Sequence, residues 1–149
     1  MKRVNSYASL QARRSLRRSL AVLLMGSVLL PTAAYCAENV VQTAGTVTYV
    51  SGGVTDETLD QLKSMSRDFN LKMVFALKSG AYMSDVSVAI VDAKGRQVLD
   101  TRSDGPWLLA KLPAGSYQVL ATASGASLKQ SVSVGSGSLK TLNFRWPSE

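Results

Sequence analysis

Leu71-Lys72-Met73-Val74-Phe75-Ala76-Leu77-Lys78 is the stretch that decides the fold, because from here onward the hydrophobic period of the chain is two. A β-strand turns successive side chains to opposite faces, so Leu71, Met73, Phe75 and Leu77 share one face while Lys72, Val74, Ala76 and Lys78 share the other. Val86, Val88 and Ile90 repeat the pattern. Asp92-Ala93-Lys94-Gly95 then turns the chain into a strand from Arg96 to Thr101, and Ser103-Asp104-Gly105-Pro106 turns it again into one from Trp107 to Leu112. Further turn signals separate strands over Tyr117–Ala123, Leu128–Val134 and Leu139–Trp146. Seven short strands spaced in this way predict a mainly β domain over residues 70–146, a two-sheet sandwich.

Upstream, residues 54–69 predict one amphipathic helix. Thr55 is a good N-cap, Asp56 and Glu57 put negative charge in the first turn, and Val54 is placed to staple against Leu59. Leu59, Leu62, Met65 and Phe69 form a single apolar stripe that needs a surface to cover, at one end of the sandwich or along one side. Residues 37–53 read as a polar lead-in with one weak strand signal, Thr46 to Val50.

Residues 1–36 have the make-up of an export signal. Lys2, Arg3, Arg13, Arg14, Arg17 and Arg18 precede the apolar run Ser19–Leu30, and Pro31-Thr32-Ala33-Ala34-Tyr35-Cys36 leads to a cleavage point after Cys36. Cleavage after Ala34 is the alternative site. Tyr35 before Cys36 argues against acylation, Pro31 and Thr32 argue against an uncleaved anchor, and the Leu-rich run favours general secretion over twin-arginine export. Six of the seventeen basic residues lie in this segment, which leaves eleven against ten acids and a net charge of +1. The high calculated pI is therefore no argument for a nucleic-acid or membrane-surface partner. The expected location is periplasmic or secreted, with no stable membrane span after cleavage.

The segment Leu112-Pro113-Ala114-Gly115-Ser116-Tyr117-Gln118-Val119 resembles the signature of the carboxypeptidase regulatory-like domains, a family with a seven-stranded transthyretin-like sandwich. The resemblance spans Leu71 to Trp146 and implies that Tyr117 points inward, with Gly115 supplying backbone freedom. It implies nothing about the task performed, because a fold hosts many functions. Hydroxyisourate hydrolases of transthyretin type use His side chains and a Tyr-Arg-Gly-Ser terminus; this chain has no His and ends Phe144-Arg145-Trp146-Pro147-Ser148-Glu149. Zinc carboxypeptidase, Ser-His-Asp and Cys-His chemistry fail for the same want of His. In similar adhesin sandwiches a first-strand Lys joins a last-strand Asn beside an acid. Lys72 and Asn143 stand at tempting places, but Ala121 occupies the position of the acid, and both polar residues alternate away from the core.

What remains is binding. Tyr82, Trp107 and Trp146 are the candidate contact residues, as stacking rings for sugar or peptide, although both tryptophans stand at strand ends where a ring commonly closes a core. Asp56, Glu57 and Asp60 fit helix capping better than calcium, and the two acids after Gly52-Gly53 would repel a phosphate. The reading is a non-catalytic envelope module without metal or cofactor. Its partner is an envelope protein, met through an exposed sheet edge or loop end, or alternatively a glycan; no nucleic acid is expected. Intact-mass analysis of the protein recovered from the envelope should find Ala37 at its N-terminus; a chain still starting near Lys2 would sink the cleaved-signal reading and the charge argument with it.

Overall fold

The computed structural model describes residues 39–148. The export signal proposed for residues 1–36 lies outside them. The seven expected strands are all present, as β3 (Leu71–Leu77), β4 (Ser87–Asp92), β5 (Gln97–Arg102), β6 (Trp107–Lys111), β7 (Gly115–Ala123), β8 (Ala126–Val134) and β9 (Lys140–Trp146). Two further strands bring the number to nine among the described residues: β1 (Gln42–Ala44) and β2 (Val47–Gly52), both drawn from the lead-in. That segment is thus a hairpin rather than a loose polar tether. Its signal was weak because β1 is only three residues long and β2 is buried on both faces, which erases the alternation.

The strands form two sheets, ordered β1-β2-β6-β3-β9 and β5-β4-β7-β8. Pairing is antiparallel throughout except between β3 and β9, which run parallel with Leu71 opposite Lys140 and Leu77 opposite Trp146. Of the inward residues read from periodicity, Leu71, Met73, Phe75, Val86, Val88 and Ile90 are buried in the layer between the sheets, and Leu77 is half-buried against it. On one flank the sandwich is sewn shut by side chains. Gln130 Nε2 donates to the Asn143 carbonyl (2.7 Å), and the Trp146 indole donates to the Ala126 carbonyl (2.9 Å). Phe75, Phe144 and Trp146 pack with ring centroids 5.8 to 6.3 Å apart beneath that seam.

A second core lies on the outer face of the five-stranded sheet. Helix α1 (Asp56–Met65) and a following 3-10 turn at Ser66–Asp68 place Leu62 and Phe69 against Val50, Trp107 and Leu109. The helix therefore covers a sheet face and not the end of the sandwich, and β6 is buried on both sides from Trp107 to Ala110. Thr55 is the cap: its Oγ1 accepts from the Thr58 amide, while Thr58 Oγ1 accepts from the Thr55 amide (3.1 Å). The staple is different from the expectation. Val54 stays exposed, and Leu59 instead lies over Gly53, where an added Cβ would come within 3.2 Å of Leu59 Cδ1.

Two close approaches hold the strands of the five-stranded sheet together. Asn70 donates to the Leu112 carbonyl (2.7 Å) and accepts from its amide (2.9 Å), tying the start of β3 to the end of β6. Gly105 passes so near the backbone of Gly52 that no Cβ fits between them. In the Leu112–Val119 signature, Tyr117 points inward as expected and its hydroxyl donates to the Pro113 carbonyl (2.6 Å). Gly115 is not at positive φ, so the freedom expected of it is unused; positive φ falls instead at Ser124 and Gly125, the two-residue turn between β7 and β8. Leu62→Ala should cost about 2–5 kcal/mol and Tyr117→Phe about 1 kcal/mol in urea unfolding. A cost below about 1 kcal/mol for Leu62→Ala would mean that the helix is not part of the cooperative unit.

Candidate functional site

The three candidate contact residues do not share a surface. Trp146 is 3% exposed within the main core, and Trp107 is 9% exposed beneath the helix. Both indoles are spent on packing, as rings at the ends of strands often are. Lys72 Nζ sits 3.1 Å from the centroid of a Trp107 ring, and the indole nitrogen of Trp107 is buried without a hydrogen-bond partner among the described residues. Burial, together with the ammonium of Lys63, pushes the Lys72 amine below its usual pKa, while the ring face beneath it favours the charged form. Tyr82 alone of the three is open to solvent, at 63%.

The backbone that carries Tyr82 is well braced. The loop after β3 folds back so that the Leu77 amide donates to the Ala81 carbonyl (2.8 Å) and the Met83 amide to the Phe75 carbonyl (3.0 Å). Tyr82 thereby forms an isolated bridge with Ala76. A ring presented on such a backbone loses little further entropy when it is contacted.

Beside it, the exit from β2 sets a second exposed apolar group. Gly53 at φ +87° turns the chain away from the sheet and into the Thr55 cap, and this leaves Val54 outside, 70% exposed. Val40, 65% exposed, stands on the other side, on the segment whose Asn39 donates to the Thr58 carbonyl (2.7 Å) and to Gln61 Oε1 (3.1 Å). Two adjoining clefts result. One, of about 450 Å3, has Val40, Val54, Ser51 and Asp104 in its lining; the other, of about 250 Å3, has Val54, Tyr82, Met83 and Pro106. Gly53 and Val54 belong to both.

The arrangement sets exposed apolar side chains beside a single carboxylate. Asp104 is the one carboxylate lining the clefts, and its Oδ2 accepts from Ser51 Oγ (3.1 Å). Asp56, Glu57 and Asp60 stay on the first turns of α1, where Asp60 pairs with Lys63 (2.8 Å), and no cluster of three metal-ligating side chains exists among the described residues. The adhesin-type bond has its residues on one face, since Lys72 lies opposite Thr141 and Val74 opposite Asn143, but Lys72 is held over Trp107, and Ala121 is buried in the other sheet.

Val40 and Val54 were not legible as contact residues. Val54 reads as a staple from its spacing, and only the Gly53 conformation sends Leu59 elsewhere. No helix among the described residues is long and apolar enough to cross a membrane. No family model matches the chain, and no curated protein matches its sequence. Because Val54 and Tyr82 are exposed, Val54→Ser and Tyr82→Ser should each change unfolding stability by no more than about 0.5 kcal/mol. A loss of about 2 kcal/mol in either variant would show that the side chain serves the fold.

Proposed function

We propose that this chain is an exported, non-catalytic β-sandwich module that binds another protein of the bacterial envelope through the loop end bearing Val54 and Tyr82. The observation that carries the reading is the grouping of three large, exposed apolar side chains, Val40, Val54 and Tyr82, around two clefts that share a wall. Isolated apolar residues on a surface need no explanation, whereas a group around clefts does. The export-signal features of residues 1–36, the absence of His from the whole sequence and the resemblance to carboxypeptidase regulatory-like domains agree with it.

Support for the loop end over strand addition comes from the state of the sheet edges. At β1 the edge is three residues long, and β5 pairs through a bulge and bears Asp100 and Arg102. On the β8 and β9 side, the Ala126 and Asn143 carbonyls already accept side-chain hydrogen bonds across the seam, and Lys129 stands on the β8 edge. Short, bulged and charged edges discourage an incoming strand.

The test is photo-crosslinking in cells with a photoreactive residue in place of Tyr82 or Val54, and in place of Lys129 or Asp100 as controls. One dominant protein adduct from the first two positions and none from the controls is the expected outcome. Adducts arising only at Lys129 or Asp100 would move the contact to an edge. A glycan adduct at Tyr82 would replace the protein partner by a sugar.

A further inference from the structure

We infer that the partner inserts an apolar segment flanked by Lys or Arg residues, an assignment that rests on the reading of this end as a docking surface. The argument is one of charge around the clefts. Their lining contains no Lys or Arg, and its one carboxylate is Asp104. Asp56 and Glu57 follow directly on Thr55 at the rim, and Asp85 follows Ser84.

Two of the nearby bases are already engaged. Lys63 is paired with Asp60 at 2.8 Å, and Arg102 with Asp85 at 2.6 Å. Neither Asp56, Glu57 nor Asp104 has an ion-pair partner among the described residues. The start of helix α1 carries the equivalent of about half a positive charge, which offsets only a fraction of three carboxylates. The apolar wall of Val40, Val54, Tyr82 and Met83 is thus bordered by an excess of negative charge. An apolar insert meets the clefts, and cations beside it meet the rim; an insert with acidic flanks would bring like charges together, which is strongly unfavourable at an interface. Lys78, on the loop that carries Tyr82, has no ion-pair partner among the described residues and offsets one of these charges, whereas Lys111, Lys129 and Arg145 stand on strands that contribute nothing to either cleft.

The experiment uses the protein as cells produce it and two fluorescent peptides with one apolar centre, Leu-Val-Phe-Leu, and either Lys-Ser-Lys-Ser or Glu-Ser-Glu-Ser on both sides. Fluorescence anisotropy should show the Lys-flanked peptide binding at least about tenfold more tightly at low salt. Val54→Ser and Tyr82→Ser should each weaken that binding, while the triple variant Asp56→Asn, Glu57→Gln, Asp104→Asn should retain the apolar contribution and lose most of the salt dependence. Circular dichroism of each variant confirms that it is folded. Equal binding of the two peptides, preference for the Glu-flanked one, or binding of neither overturns the basic-flank assignment. The docking reading falls separately, through the absence of crosslinks at Tyr82 and Val54.

Discussion

The rest of the structure depends on the double burial of β6. A strand at the centre of one layer of a sandwich has one face covered by the opposite sheet, and Leu108 and Ala110 are buried there. Trp107 and Leu109 point the other way, and water on that face would leave a large apolar area exposed. The chain solves this with Leu62 and Phe69. Everything at the far end of the sheet follows from the need to bring a helix across it: β2 must stop, the chain must leave the sheet at Gly52-Gly53, and the helix must be capped at Thr55. The outward placement of Val54 is a by-product of that route. The candidate contact surface is therefore built by the same turn that completes the second core.

The sequence made some of this legible and concealed the rest, for reasons that can be traced to particular residues. Alternation over Leu71–Leu77 and Val86–Val91 located strands because one face of each meets the main core and the other is less completely covered and carries polar residues such as Lys72 and Ser87. Thr55 was recognisable as a cap because capping is a local matter, decided within four residues. Of the first hairpin only β2 left a trace, the weak signal at Thr46–Val50, since a strand covered on both sides has little period to read and β1 is three residues long. Which sheet face the helix covers is likewise a tertiary fact, set by the match between its stripe and the outward residues of β2 and β6. Trp107 and Trp146 were offered as contact residues on their chemistry, and in the fold their surface is spent on packing. Tyr82 was offered on the same chemistry and is exposed because the loop after β3 bonds back to its own strand.

Polar residues do much of the joining between layers. Asn70, Gln130 and the Trp146 indole each hydrogen-bond backbone groups that the strand ladders leave free. A buried carbonyl or amide left unpaired is costly, so such side chains fix register and close edges together. The Thr101 hydroxyl donating to Tyr49, and Tyr49 to Gln42, makes a thinner link of the same sort on the opposite flank. The unequal closure leaves the β1 and β5 side as the more open flank of the sandwich.

The parallel pairing of β3 with β9 has a consequence for how the chain reaches this state. The first strand of the predicted sandwich lies beside the last, so on that side Leu71 and Phe75 find their neighbours only when Lys140 to Trp146 are present. Contacts that distant in sequence are slow to form, and a truncated chain has no partner to offer for that side of β3. A chain emerging from the ribosome therefore lacks its complete core until β9 has been made, and until then one side of β3 offers its unpaired backbone to whatever strand meets it.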